Sequence, residues 1–248
     1  SNYIFIIIKS RMEDQVYQRH IDNFLKHWWF QGRKRIIKNS IISAIGKKKI
    51  KILDFGSGSG VNLNMLSKFG VVHIYEPHIK TKKYLKSKYN KKGFKILNRL
   101  GNDKYDLIVL ADVLEHIKND KTQIRKIFKN LKKNGKILIT VPAFPILFSK
   151  KDKILKHYRR YRINQLKDVF NNFKTIKLSY FNFFLFFPIS IILIFTKVFN
   201  INFIDKVEKK PPDLINSTLY FLLYLESIFI KYIDLPFGIS ILGVFQKK

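Results

Sequence analysis

The chain has 248 residues, 46% hydrophobic and 26% charged, enough apolar material for one large domain with a buried core. It contains no cysteine, which excludes disulfides, thiolate metal sites and cysteine nucleophiles and fits a cytoplasmic chain. Its formal net charge of +31 invites an anionic partner. The lysines, however, are spread as on a solvated surface, and Lys, Asn, Ile, Phe and Tyr all have AT-rich codons. Codon usage is therefore the first explanation of the charge, an anionic membrane surface the second, and nucleic acid the last.

"IFIII" near the start is too short for a signal core or a membrane span. Met12 is a candidate native start, with residues 1–11 an extension. Residues 12–46 carry apolar groups at helical spacing and predict one or two helices, an N-terminal cap over 1–46. "KILDF" (51–55) predicts a strand closed by "GSGSG", with a helix over about 61–69. "VVHIYE" (71–76) predicts a second strand, and "PHIKTKKYLKSKY" a helix opened by proline. "FKIL" (94–97) and residues 105–110 follow as strands three and four. "DKTQIRKIFKNLKKNG" reads as an amphipathic helix ended by Gly135, and "KILITVP" as a fifth strand. A helix near 163–171, a sixth strand over 173–181 and a seventh over 237–245 complete the series.

Strands that are unbroken apolar runs, alternating with helices, indicate a doubly wound, mostly parallel α/β sheet covered on both faces. Ligands of such a sheet lie beyond the carboxyl ends of its strands, near the switch point. The core then spans 47–181 and 236–248. A hydrophobic helical insertion, 182–235, separates strands six and seven.

"LDFGSGSG" places glycines at 56, 58 and 60 between a strand and a helix, where the backbone can approach a ligand and free N–H groups can meet a carboxylate. Glu76 ends the next strand, where a carboxylate can accept bonds from ribose hydroxyls. The G-x-G-x-G spacing differs from that of most dinucleotide binders and from a P-loop. Together "LDFGSGSG", "YEP", "DLIVLADVLEHI" and "LKKNGKILITVPA" resemble, in order and spacing over about 50–142, the signature regions of class I S-adenosylmethionine-dependent methyltransferases. The resemblance implies a seven-stranded Rossmann-like fold with S-adenosylmethionine as cofactor. It places Asp54, Gly56, Ser57, Gly58 and Gly60 around the methionine part, Glu76 at the ribose, and Ala111 and Asp112 beside the sulfonium. Asn98 is the nearest candidate for the adenine amino group and Asp103 the runner-up, because the stretch after strand three is short.

An oxygen nucleophile must lose its proton during methyl transfer, and histidine suits that near neutral pH. His116 in "LEHI" and His157, in the loop after strand five, are the candidates; ordering the loop is the alternative role for His116. No Asp, Glu and His show ligand-like spacing, so no metal is expected. "HYRRY" (157–161) and "HWWF" (27–30) resemble two segments of a bacterial subset of these enzymes, several of them associated with envelope glycan or lipid pathways. Three of only nine arginines fall in 159–162, and arginine's planar fork suits phosphate or carboxylate. Tyr158, Arg159, Arg160 and Tyr161 are thus candidate substrate contacts. Pairing with Asp152 or helix ends, to pin the loop, is the equal alternative. Trp28 and Trp29 are candidates for substrate contact or for lid packing.

Leu178–Thr196 carries no charge, and 214–230 carries only Glu226. Pro188 and Glu226 argue against a spanning hairpin. Amphipathic helices lying on a membrane, with a hydrophobic lid or dimer surface as the alternative, are the expectation. The sequence thus predicts a methyltransferase acting mainly on oxygen of a lipid, quinone or lipid-linked glycan. It would be cytoplasmic and peripheral on the inner face of the membrane. A soluble small-molecule enzyme is the second reading and an RNA methyltransferase the third, with no specific nucleic-acid partner expected.

Overall fold

The computed structural model describes residues 26–46, 48–199 and 210–248. One sheet contains β1 (Ile50–Phe55), β2 (Gly70–Tyr75), β3 (Lys95–Leu97), β4 (Tyr105–Ala111), β5 (Leu131–Pro142), β6 (Phe173–Phe181) and β7 (Ser240–Lys247). Their order is β3-β2-β1-β4-β5-β7-β6. β7 runs antiparallel to both neighbours and the other pairings are parallel, so all carboxyl ends except that of β7 share one edge. This is the doubly wound, mostly parallel sheet expected from the sequence.

The helices are α1 (Trp28–Ile45), α2 (Leu63–Leu66), α3 (Ile79–Tyr89), α4 (Asp120–Phe128), α5 (Lys150–Ile154), α6 (Ile163–Val169), α7 (Phe186–Val198) and α8 (Asp213–Phe229). Alternate strand positions pack on opposite faces, which is why the strands are apolar throughout. Leu53, Ile108, Leu110 and Ile139 join Ile124 and Ile127 of α4 and Leu166 of α6 on one face. Ile52, Ile74, Val109 and Leu138 join Ile36 of α1, Leu66 of α2, Leu85 of α3 and Leu223 of α8 on the other. The chain winds outward from β1 through β2 to β3, and in the other direction from β4. The crevice between β1 and β4 is therefore the switch point.

Two predicted helices are shorter than the pattern suggested. α4 ends at Phe128 rather than Gly135, because buried Leu131 already pairs with Tyr105 in the sheet. The register then jumps to Leu107 opposite Lys136, with Asn134 in the left-handed region at φ 61°. The helix expected over 61–69 is one turn, α2, tightened into a 3₁₀ turn to Phe69. It must stop there because Gly70 opens β2 so close to Ile50 that a Cβ would stand 2.0 Å from its carbonyl oxygen.

Residues 12–25 of the expected N-terminal helices lie outside the described residues, as do 200–209 of the insertion. What is described of these two segments packs together. Gly32 of α1 meets Leu223 of α8, Arg35 stacks over Tyr224 at 4.3 Å, and Asn39 Nδ2 donates to the Ser227 carbonyl at 2.9 Å. Glu226, which the sequence offered only as an obstacle to spanning, is buried and accepts the Phe183 backbone N–H at 2.9 Å. It thereby fastens α8 to the turn that starts α7. Among the described residues no helix is long and apolar enough to cross a membrane.

Candidate active site

The glycine turn sits at the carboxyl end of β1, on the switch point. Gly56, Gly58 and Gly60 all have positive φ, which L side chains adopt only with strain. A Cβ on Gly56 would lie 2.7 Å from Val113 and one on Gly60 2.8 Å from Tyr89, so packing also demands glycine there. Gly58 differs: among the described residues nothing lies within 4 Å of its Cβ position, which leaves space beside the turn. Its N–H donates to Glu76 Oε2 at 2.9 Å, and the His78 N–H donates to Oε1 at 2.9 Å. Glu76 is fully buried at the end of β2, held in place by one backbone bond on each oxygen. Each oxygen keeps a second lone pair for a hydroxyl. Asn98 is exposed just past β3, on the same edge. Asp103, the runner-up, is excluded from this edge: it bonds Lys51 at 2.6 Å, at the amino end of β1.

Around the turn lies a charged floor that sequence reasoning only half anticipated. Ser57 Oγ donates to Asp54 at 2.5 Å. Burial pushes the Asp54 carboxyl up to about 6, against that bond and with Glu76 adding to the rise. Asp112, just past β4 and with φ 53°, accepts Thr140 Oγ1 at 2.7 Å and a bond from Arg33 Nη1 of α1. Arg33 is buried, and burial lowers its guanidinium to about 10 while Glu115 and Asp54 oppose the shift. One arginine from the N-terminal helix thus faces three acidic side chains. Its signal was present in the "GRKR" of the aromatic segment, but nothing in spacing shows that α1 crosses the switch point. Ala111 is half-buried beside this floor.

The loop after β5 delivers His157. Tyr158 N–H donates to the Glu115 carbonyl at 2.8 Å, and Tyr161 bridges back to Ala143 in β-fashion. His157 Nδ1 lies 2.7 Å from Asp152 Oδ1, and its ring stands 4.5 Å from that of His116. Burial lowers both imidazoles, His116 to about 2, and so favours their neutral forms, with Asp152 opposing the shift at His157. His116 Nδ1 lies 3.3 Å from the Lys156 carbonyl. Burial would raise the Asp152 carboxyl, but the bonds from His157 and Arg160 outweigh it and hold it below the usual carboxylate range. Glu115, also missed, is 1% exposed, and burial pushes it up to about 8. The expectation that no metal-ligating set exists is revised by this arrangement. Glu115, His116 and His157 bring candidate donor atoms within 4.8 Å of one another, a grouping hidden by the 41-position separation of the histidines.

The arginines offered as an anion clamp, with loop pinning as the equal alternative, already meet acidic partners within the chain. Arg160 is buried and its Nε contacts both Asp152 oxygens, at 2.9 and 3.0 Å. Arg159 reaches Asp120 at 2.9 Å and the Lys118 carbonyl at 2.5 Å. The buried Tyr161 hydroxyl donates to Asp120 at 2.8 Å. The forks turn inward and pin the loop, because buried carboxylates meet them there. Tyr158 alone of the four is well exposed. Trp29 stacks on Phe181 with centroids 5.7 Å apart, and the Trp28 backbone N–H donates to Asn216 Oδ1 at 2.9 Å, so α1 packs both against β6 and α8.

A seven-stranded sheet of this order with β7 reversed, a glycine turn after β1 and an acid closing β2, is the architecture of a class I methyltransferase. The family model described as a methyltransferase domain matches residues 17–175, and the chain belongs to that family. The fold is similar to that of a proposed sarcosine dimethylglycine methyltransferase of Galdieria sulphuraria (15% identity, 86% of this chain and 84% of that chain, TM-score 0.55). It is also similar to a proposed methyltransferase of Bacillus halodurans C-125 (16% identity, 86% and 98%, TM-score 0.54). A third is the N-methyltransferase NodS of Bradyrhizobium japonicum WM9 in complex with S-adenosyl-L-homocysteine (10% identity, 87% and 86%, TM-score 0.52). No curated protein matches the sequence.

Proposed function

We propose that this methyltransferase moves the methyl group of S-adenosylmethionine to a hydroxyl of an amphiphilic acceptor, a lipid, quinone or lipid-linked glycan, presented at an anionic membrane surface. The cofactor supplies a methyl already activated on a sulfonium. The open backbone at Gly58, beside Asp54, Ser57 and Gly60, receives its amino-acid end. Glu76 accepts the ribose hydroxyls, Asn98 meets the adenine edge, and Ala111 and Asp112 flank the reacting centre. Neutral imidazoles at His116 and His157 suit a hydroxyl acceptor, which must give up its proton, and Asp152 holds His157 in orientation for it.

The observation that carries the acceptor class is the apolar face of α7, which begins just beyond the carboxyl end of β6. Phe187, Ile191, Ile192, Phe195, Val198 and Phe199 are each at least half exposed on or directly after that helix. A contiguous exposed apolar patch on a strongly cationic chain fits docking in an anionic interface. Flotation of the full chain with phosphatidylglycerol vesicles and with phosphatidylcholine vesicles tests this. Binding to the former, lost in Ile191→Asp/Phe195→Asp, is expected. Equal absence of binding to both vesicles refutes membrane presentation. Mass spectrometry of lipid extracts incubated with labelled methyl donor then names the acceptor.

A further inference from the structure

We propose that Glu115, His116 and His157 bind a single divalent first-row transition cation at the mouth of the crevice, where it would hold and acidify the acceptor hydroxyl. The proposal rests on the hydroxyl-acceptor reading above. Three features of the cluster carry it. First, the donor atoms lie within 4.8 Å of one another. Donors at about 2.1 Å from one ion at tetrahedral angles stand about 3.4 Å apart, so side-chain rotations of about 1 Å close the set. Secondly, Glu115 Oε2 is buried with no hydrogen-bond partner among the described residues. A buried polar oxygen left so costs free energy unless a partner meets it, and a bound cation would supply one. Thirdly, the outer contacts are those of ligating histidines. His157 Nδ1 lies on Asp152, itself fixed by Arg160 and by the Ser149 N–H at 2.9 Å, and His116 Nδ1 lies on the Lys156 carbonyl. Both contacts present Nε2 as the donor, as second-sphere acceptors do in metal sites.

This gives the arginine-rich loop a purpose: it places one ligand against two from the end of β4. Two imidazoles and one carboxylate suit Zn²⁺, Co²⁺, Mn²⁺ or Fe²⁺ better than Mg²⁺ or Ca²⁺, and three protein ligands leave positions for an oxygen of the acceptor. A bound cation lowers the pKa of such an oxygen as it does that of water. His157 would then serve as a ligand rather than a base, and the proton released by the cation-bound hydroxyl would pass to solvent water.

Titration of the chelator-treated full chain with Co²⁺, followed by visible absorption and calorimetry, tests the site. One equivalent bound with micromolar or tighter affinity, weakened at least tenfold in each of Glu115→Gln and His157→Gln, is expected. Asp152→Asn should weaken it about tenfold through the orientation of His157. Melting curves and S-adenosylhomocysteine affinity of each variant verify that the fold persists. Absent Co²⁺ binding, or equal binding by wild type and variants, overturns the proposal. Gly58→Arg separates the two readings: it should lose S-adenosylhomocysteine and keep Co²⁺. Wild type that binds S-adenosylhomocysteine but no Co²⁺ sinks only the metal site. Wild type that binds Co²⁺ but no S-adenosylhomocysteine sinks the donor assignment instead.

Discussion

Replacing Arg33 by methionine removes the one buried cation of the site floor while keeping most of its stem volume. The residue is 6% exposed, bonds Asp112, and is felt by Asp54 and Glu115. Breaking a buried pair by deleting one partner typically costs about 3–5 kcal/mol, because the other charge is left without compensation. Here two further carboxyls lose the same neighbour. They can relieve the strain only by taking up protons, which happens more readily as pH falls. Asp54, already at about 6, is mostly neutral at pH 5 and mostly charged at pH 8. The loss should therefore lie near the upper end of that range at pH 8 and near the lower end at pH 5. For a chain of this size about 4 kcal/mol corresponds to a fall in melting temperature of about 8–16 °C. Calorimetric melts at both pH values measure it. The double variant Arg33→Met/Asp112→Asn should recover part of the loss, since an amide needs no counter-charge. A drop under about 2 °C at pH 8, or an equal drop at both pH values, refutes the view that Arg33 neutralises this floor.

Gly58→Arg fills the open space at the turn and should abolish S-adenosylhomocysteine binding; unchanged calorimetric affinity contradicts the cofactor assignment. Gly32→Ala puts a Cβ 2.4 Å from Leu223 Cδ1 and 2.7 Å from its Cβ, which a side-chain rotation cannot relieve. Overpacking costs about 1–3 kcal/mol, against roughly 1 kcal/mol gained in helix propensity, so urea denaturation should show a net loss that Leu223→Ala repairs. Failure of the second substitution to restore stability argues against contact between α1 and α8. Burial raises Glu226 from 4.5 to about 7, against bonds from the Phe183, Asn182 and Phe184 N–H groups. Its charging penalty is absent below pH 4.5, grows as pH rises, and is complete above 7. That gap is worth about 3 kcal/mol, at about 1.4 kcal/mol per pH unit. Glu226→Gln should gain that much relative to wild type between pH 4.5 and 8; a pH-independent difference excludes it.

The sheet was legible because each strand is an apolar run closed by a turn signal, and a sheet covered on both faces requires that pattern. The glycine turn was legible because positive φ and close packing restrict residue type there, and Glu76 because it stands at the end of an apolar run. What stayed hidden depends on long-range packing. Helical periodicity in "LKKNG" lost to the burial of Leu131 in the sheet. The arginines of "HYRRY" stood out by composition, yet the direction of a fork is set by where buried carboxylates lie. Asp152 and Asp120 became visible as its partners only once the loop had folded. The pairing of Arg33 with Asp112 and the approach of Glu115 to His157 likewise join segments 79 and 42 positions apart.

These hidden contacts form a continuous chain from the apolar surface to the reaction edge. Glu226 ties α8 to the start of α7, where Phe186 meets Phe144 with centroids 5.4 Å apart. Phe144 also stacks on Tyr180 at 5.0 Å and its N–H donates to the Tyr161 carbonyl at 2.8 Å, so the insertion touches the loop that carries His157. On the other side α8 packs on α1, and α1 carries Arg33 to Asp112. A helix merely appended to the surface would need neither Gly32 under Leu223 nor a buried glutamate under a backbone turn. Both cost free energy in isolation, the first in backbone entropy and the second in desolvation. They are explicable together if the position of the insertion matters to the geometry of the site. In that light the first substitution to make is Gly32→Ala, read by S-adenosylhomocysteine affinity as well as by stability: displacement of α1 by the new methyl moves Arg33 one residue away.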